Sequence, residues 1–124
     1  MRRFLSMLLM SCLFLVSCVD KELDNVQVSP AAITAGCEGG SYTFEVKANC
    51  SWDIQTKYYD NENGFVSLGM TSGTGNASVQ FTVEKNNGDK IRRCSIELYS
   101  RGAESPQSSL SVIQEGVSEK IANN

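Results

Sequence analysis

The feature that most constrains this chain is a regular alternation of apolar and polar residues in three separate runs. The apolar members are Tyr42, Phe44, Val46 and Ala48 in the first run, Val79, Phe81 and Val83 in the second, and Cys94, Ile96 and Leu98 in the third. Successive side chains of a β-strand point to opposite faces, so each run is predicted to be a strand with one buried and one solvent-facing side. From residue 26 onward no stretch has a convincing helical period, and we expect an all-β protein.

Clusters of turn-forming residues separate these runs from shorter candidate strands. The shorter strands are predicted at 26–35, 51–56, 65–68 and 109–114, and the turns at 36–41, 60–64, 72–76, 86–89 and 101–106. About seven short strands at this spacing predict an antiparallel β-sandwich of the immunoglobulin type. Ile91 breaks the parity of the third run, which predicts a bulge or a strand start near Arg92.

Composition excludes several function classes. The chain has 124 residues, no histidine and a formal net charge of −3. This length predicts one domain, and the lack of histidine excludes Ser-His-Asp and Cys-His catalysis and His-ligated metal sites. An acidic chain is also a poor match for nucleic acid, which needs a basic face. The outward acids, such as Glu45 and Glu84, lack the burial that tunes catalytic groups, so we expect no enzyme, catalytic residue or cofactor.

Residues 1–17 have the pattern of a secretion signal. Arg2 and Arg3 give a positive start, and the apolar run from Phe4 to Val16 is shorter than the ~20 residues of a membrane-spanning helix. The segment Leu15-Val16-Ser17-Cys18 resembles the lipobox of bacterial lipoproteins. This resemblance implies cleavage before Cys18 and attachment of a diacylglycerol to its thiol. The alternatives are an ordinary signal with an accidental cysteine, or an uncleaved short anchor.

The processed chain would be held at a membrane by its lipid. Several acyl chains, each contributing about 0.8 kcal/mol per buried methylene, make a stable anchor. Without Arg2 and Arg3 the remaining nine basic and 14 acidic residues give a net charge of −5. Residues 18–25 would form an acidic linker, in which 19–25 resembles the export signals that send Bacteroidetes lipoproteins to the outer surface. A solvated linker is the alternative. We therefore expect the cell envelope, and the outer membrane in particular, with the leaflet left open.

Five short motifs follow one another along the rest of the chain. They are Val28-Ser29-Pro30, Glu38-Gly39-Gly40-Ser41, Ser51-Trp52, Ser72-Gly73-Thr74-Gly75-Asn76 and Gln114-Glu115-Gly116. In this order and spacing they resemble the BACON domain (Bacteroidetes-associated carbohydrate-binding often N-terminal) over residues 26–116, which leaves 117–124 as a C-terminal tail. The resemblance implies the sandwich fold and a Bacteroidetes envelope setting. The family's carbohydrate role is itself a proposal, drawn from the glycan-degrading modules that accompany these domains. Phe65 stands where the family has a second tryptophan.

Trp52 could be a sugar-stacking ring or part of the core. It shares its parity with Cys50 and Ile54, on the side expected to face the opposite sheet. A buried strand tryptophan is the usual central residue of such a sandwich, so we expect Trp52 in the core.

Three cysteines, Cys37, Cys50 and Cys94, remain for the folded domain. An odd number leaves at least one unpaired. In an up-and-down arrangement Cys37 and Cys94 lie at one end of the sandwich and Cys50 at the other. If a disulfide forms, the Cys37–Cys94 pair is therefore favoured. The alternative is three free cysteines that act as small buried apolar residues.

Two loops carry the candidate ligand-binding residues. These are Tyr58, Tyr59, Asp60, Asn61 and Asn63 in the first loop, and Asn86 and Asn87 in the second. The topology brings both loops to one end, opposite the lipid tether. Flat rings with amides and carboxylates suit a sugar, whose C–H face stacks on the ring while its hydroxyls pair with the polar groups. The alternative is a set of turn formers with two packed tyrosines. A Ca²⁺ site is not expected, because the alternating oxygen ligands of a calcium loop are missing.

These features predict a lipid-anchored binding or accessory module of the envelope. Its partners would be the membrane, through the anchor, and a glycan or envelope protein at the distal loops. The alternative is a structural spacer or assembly subunit without a ligand.

Overall fold

The computed structural model describes residues 23–121. The predicted signal, the predicted lipidation site Cys18 and the first part of the predicted linker lie outside these described residues. Nine strands form within them: β1 (Val26–Ser29), β2 (Ala32–Ala35), β3 (Gly40–Ala48), β4 (Ser51–Tyr58), β5 (Val66–Leu68), β6 (Ser72–Thr74), β7 (Ala77–Val83), β8 (Arg92–Ser100) and β9 (Ser108–Gln114). The same residues include no helix long and apolar enough to cross a membrane.

The strands form two sheets that pack face to face, which confirms the predicted all-β sandwich. One sheet has the order β1-β3-β7-β5 and the other has the order β2-β9-β8-β4-β6. All neighbours are antiparallel except β2 and β9, which run parallel.

Two differences raise the strand number above the predicted seven. The segment predicted as one strand over 26–35 divides at Pro30, so that β1 joins one sheet and β2 the other. Proline cannot donate a ladder hydrogen bond, which makes it a natural place for the chain to change sheets. Part of the predicted turn at 72–76 forms β6 and pairs with β4. The predicted start near Arg92 is confirmed, because β8 begins at that residue.

The three alternating runs supply half of the buried apolar residues, on the face that their parity predicts. Phe44, Val79, Phe81, Ile96 and Leu98 are all buried between the sheets. Trp52 is also fully buried, and its indole N–H donates to the Gly75 carbonyl at 2.8 Å. The prediction that this tryptophan belongs to the core is confirmed.

The strand directions give the sandwich two distinct ends. The loops 36–39, 59–65 and 84–91 and the segment 115–121 meet at one end, called the loop end below. Residues 23–25 enter at the opposite end, where Asn49 accepts from the Asn25 N–H (2.7 Å) and donates to the Leu23 carbonyl (2.9 Å). The start of the described chain is thus fixed far from the loop end.

Candidate functional site

The loop after β4 is a tight turn that displays Tyr59 and Asp60. Asp60 and Asn61 both have positive φ angles, 58° and 63°, and the Glu62 N–H donates to the Tyr59 carbonyl at 3.0 Å. This is the geometry of a type I′ turn, for which Asp and Asn are favoured. The exposed Asp60 carboxylate accepts from Arg93 at 3.0 Å. This exposed ion pair links the turn to strand β8.

The two neighbouring tyrosines have different environments. Tyr58 packs edge-on against Phe65, with the ring centroids 5.4 Å apart, and its hydroxyl donates to the Val66 carbonyl at 3.1 Å. Burial raises the pKa of Tyr58. Tyr59 is 40% exposed, and the ammonium of Lys57 lies 5.6 Å from its ring centroid. Tyr58 is thus partly buried and bonded within the fold, and Tyr59 is the more exposed of the two rings. Ligand contact by either ring stays a prediction.

The two asparagines of the second loop differ in the same way. Asn86 is buried, and its amide donates to the carbonyls of Lys90 (2.9 Å) and Glu115 (3.1 Å) while accepting from the Gly88 N–H (3.0 Å). Because the side chain is used within the fold, the expectation that Asn86 contacts a ligand is corrected. Asn87 is exposed.

The remaining candidates of the first loop, Asn61 and Asn63, are also exposed at the loop end. The structure thus brings the two predicted loops together and leaves five of the seven candidates accessible. These are Tyr59, Asp60, Asn61, Asn63 and Asn87.

A buried polar cluster holds the loops in place. Gln114 is fully buried and donates to the carbonyls of Gly36 (3.1 Å) and Glu84 (2.7 Å). Arg92 donates to Gln114 at 2.7 Å, and its guanidinium lies 4.5 Å from the ring centroid of Phe65. Three loops are therefore fixed to two neighbouring strands, so that a ligand would meet a largely preformed surface.

An open cleft of about 660 Å³ lies beside these loops. Its apolar lining is formed by Ile91, Ile113 and Ile121, and its charged lining by Asp60, Glu62, Lys90, Arg93, Glu119 and Lys120. The cleft thus combines an aliphatic surface with groups of both charges. Arg93 and Ile113 are cross-strand neighbours, and the Tyr59 N–H donates to the Arg93 carbonyl (3.2 Å). Tyr59 does not line the cleft but directly precedes Asp60, which does.

The segment after β9 forms one wall of the cleft. The Val117 N–H donates to the Gly88 carbonyl (2.8 Å) and the Glu119 N–H to the Asp89 carbonyl (2.9 Å). A side chain on Gly116 would strike the Asp89 backbone, so this close approach requires glycine. Residues predicted to be a tail therefore contribute Glu119, Lys120 and Ile121 to the site.

Sequence reasoning missed the cleft residues outside the two loops. The exposure of Arg93 could have been predicted, because its parity is opposite to that of the buried Cys94 and it directly follows Arg92. The wall formed by 117–121 had none, since it contains no alternation and its contacts are with backbone groups of the loop 84–91.

The cysteines are not joined in the structure. Cys37, Cys50 and Cys94 are all free thiols, so the Cys37–Cys94 disulfide is not formed. Cys94 is buried within the core, cross-strand from Tyr58 and Val112, whereas Cys37 belongs to the loop 36–39. Burial raises the pKa of the Cys94 thiol from 9.0 to about 12, which makes it unreactive. Among residues 23–121 no group of three or more Cys, Asp or Glu is arranged to hold a metal ion.

Comparison with known proteins identifies the fold but no family. No family model and no curated protein matches the chain. A Bacteroides ovatus GH5 xyloglucanase, solved in complex with a XXXG heptasaccharide, is similar with a TM-score of 0.63 and 22% identity over 74% of this chain. The match covers 19% of the xyloglucanase, so this chain corresponds to only a small part of that enzyme.

Two further solved structures match over most of their own length. A protein from Bacteroides thetaiotaomicron has a TM-score of 0.52 and 15% identity, over 81% of this chain and 94% of its own. The ASH/PapD-like domain 7 of human CEP192 has a TM-score of 0.50 and 13% identity, over 77% of this chain and 87% of its own. At these identities the comparisons show the fold: this chain is an immunoglobulin-like β-sandwich.

Proposed function

We propose that this protein is a lipid-anchored module of the bacterial cell envelope that binds a glycan at its loop end and catalyses no reaction. The observation that carries the proposal is the exposed Tyr59, which directly precedes Asp60 of a charged cleft of about 660 Å³, on loops fixed by buried hydrogen bonds. An exposed ring next to carboxylates and cations offers the stacking surface and the polar groups that sugar recognition uses.

Three lines support the envelope setting and the BACON assignment. The first is the lipobox-like segment ending at Cys18, and the second is the ordered set of motifs from Val28 to Gly116. The third is the likeness to part of a Bacteroides xyloglucanase and to a Bacteroides thetaiotaomicron protein. The first of these proteins carries a saccharide in its described complex, which makes a glycan the natural first ligand to test.

The orientation of the domain favours outward display of the site. The described chain begins at the end opposite the cleft, where Gln107 accepts from the Val26 N–H (2.8 Å) and donates to the Asp24 carbonyl (3.2 Å). A lipid on Cys18 would leave only a few residues before the hydrogen bonds to Gln107, and each residue spans at most about 3.6 Å. The loop end would then point away from the bilayer.

Glycan binding is tested with the purified lipoprotein in detergent micelles. A glycan array followed by calorimetry on the retained glycans should give binding that Tyr59→Ala removes. Met70→Ala is the matched control, because Met70 is equally exposed at 39% and lies between β5 and β6, outside the cleft. Retention of no glycan, or equal binding by the Tyr59→Ala variant, contradicts the proposal.

The anchor is tested separately in cells. Metabolic labelling with a fatty acid should mark the wild-type protein and not a Cys18→Ala variant. An unlabelled wild-type protein would contradict the lipid anchor and leave the binding proposal to be judged on its own measurement.

A further inference from the structure

Within the described part of the chain, some charged side chains of the cleft have an ion-pair partner and others have none. Asp60 is paired with Arg93 at 3.0 Å, and Glu62 lies 3.9 Å from Arg92. The third carboxylate, Glu119, accepts from the Ile91 N–H at 2.8 Å. Asp60 and Glu62 therefore each have an arginine within ion-pair distance, whereas Glu119 is bonded to a neutral backbone N–H and keeps its negative charge.

The two lysines of the cleft have no ion-pair partner among the described residues. Within residues 23–121 no carboxylate lies within ion-pair distance of Lys90 or Lys120. Lys120 donates one hydrogen bond to the Gly116 carbonyl at 3.2 Å, which leaves further ammonium donors unused. Within the described residues, Lys90, Lys120 and Glu119 are thus the charged groups of the cleft without an ion-pair partner. Two positive charges and one negative charge leave a net charge of +1, although the chain as a whole is acidic.

Both lysines stand on backbone segments that are tied together. Lys90 belongs to the loop 84–91 and Lys120 to the segment 115–121, and these segments share the hydrogen bonds from Val117 to Gly88 and from Glu119 to Asp89. The two cations are thus held on neighbouring walls of one cleft. The side chains of Ile91, Ile113 and Ile121 provide the apolar lining of the same cleft.

We propose that the cleft binds an acidic glycan, whose sugar carboxylate is held by Lys90 and Lys120 while a ring face lies on the isoleucines. This inference rests on the proposed function and adds the chemical class of its ligand. A carboxylate between two ammonium groups gains charge-assisted hydrogen bonds, which are stronger than the neutral bonds that a hydroxyl would make. The apolar surface matches the C–H face of a sugar ring better than it matches a small hydrated anion.

The test compares two oligosaccharides of equal length by calorimetry on the complete lipoprotein in micelles. One is an oligogalacturonate, which carries carboxylates, and the other is a neutral cello-oligosaccharide. We expect the oligogalacturonate to bind about tenfold more tightly or better at low salt, and this preference to shrink in about 300 mM salt. A Lys90→Gln/Lys120→Gln variant should lose the preference and keep its residual binding of the neutral chain.

Lys47→Gln is the matched control, because Lys47 is exposed on β3 near the opposite end and its loss lowers the positive charge without touching the cleft. It should retain the preference for the acidic chain. Folding of each variant is checked by its urea midpoint, so that a loss of affinity is not confused with unfolding.

The failure of this inference can be told apart from the failure of the proposed function. Equal or tighter binding of the neutral chain, unchanged by Lys90→Gln/Lys120→Gln, overturns the acidic ligand while glycan binding stands. Binding of a glutamate-rich peptide in preference to both sugars overturns it in favour of a protein partner. Binding of no glycan in the array or by calorimetry overturns both proposals together.

Discussion

Arg92 and Gln114 form the central polar contact of the loop end, with the arginine Nε–H donating to the glutamine Oε1 at 2.7 Å. The two residues are register partners on β8 and β9. Arg92 also donates to the carbonyls of Glu84 and Lys85, both at 3.1 Å, and Gln114 donates to those of Gly36 and Glu84. One side-chain pair therefore satisfies backbone groups of two loops and binds them to the five-stranded sheet.

Replacing Gln114 with leucine should destabilise the protein by about 3 kcal/mol. The leucine fits the buried volume but leaves the Arg92 Nε–H without its acceptor, and a buried unsatisfied group costs about 1–3 kcal/mol, more when it is charged. It also removes one of the two donors to each of the carbonyls of Gly36 and Glu84. Urea denaturation measures the change in the free energy of unfolding. Gln80→Leu, on the exposed face of β7, is the control and should change stability by less than about 0.5 kcal/mol. Similar values for the two variants would contradict this role.

The face of each strand that is buried was predictable, because burial in a sandwich follows the alternation of side chains. Cys94, Ile96 and Leu98 face the core as their spacing requires. The division of 26–35 was not predictable to the same degree. Ala32 to Ala35 could extend either sheet, and only the parallel pairing with β9 shows where the segment lies. Such pairing depends on tertiary contacts that local sequence does not encode.

A methyl group at Gly73 should disturb the centre of the sandwich. A Cβ at this position would lie 2.5 Å from the Trp52 ring, which is fully buried. Overpacking of this kind costs about 1–3 kcal/mol, so Gly73→Ala should lower the urea midpoint by a corresponding amount. Gly36→Ala is the control, since no atom lies within 4 Å of the added carbon. If Gly73→Ala is as stable as Gly36→Ala, the contact with Trp52 is not as close as described.

The buried thiol of Cys94 predicts a loss of stability at alkaline pH. Burial raises its pKa from 9.0 to about 12, so the unfolded chain releases this proton at a lower pH than the folded protein. The contribution of Cys94 to stability is therefore complete below about pH 9 and declines as the pH rises toward 12.

The measurement is the urea midpoint at about pH 8 and about pH 10 for the wild type and for Cys94→Val, which fills a similar volume and cannot ionise. The decrease between the two pH values should be smaller in the variant. Cys37→Val retains Cys94 and should decrease as the wild type does. An identical decrease in the wild type and Cys94→Val would rule out this titration as a source of alkaline instability.

The candidate site was predictable in its location and less so in its residues. Strand directions alone bring the loops after β4 and β7 to one end. They do not by themselves distinguish Tyr58 from Tyr59. Tyr58 is the last residue of β4 and has the parity of the buried Trp52 and Ile54, but the strand predicted over 51–56 ended before it. In the structure Tyr58 packs against Phe65, a residue of another segment. Asn86 and Asn87 are likewise equivalent as turn formers, and only the carbonyls of Lys90 and Glu115 determine which amide is buried.

Asn86 and Asn87 allow a buried and an exposed asparagine of the same loop to be compared. Asn86→Ala removes the donor for two carbonyls and the acceptor for the Gly88 N–H, and the side chain is buried at 5% exposure, so we expect a loss of about 2–3 kcal/mol. Asn87→Ala changes an exposed neighbour and should alter stability by less than about 0.5 kcal/mol. Because Asn86 joins the loop 84–91 to Glu115, its loss should also increase amide hydrogen exchange at Val117 and Glu119, whose N–H groups donate to that loop. Unchanged exchange at these two amides in Asn86→Ala would show that the wall of the cleft is held independently of Asn86.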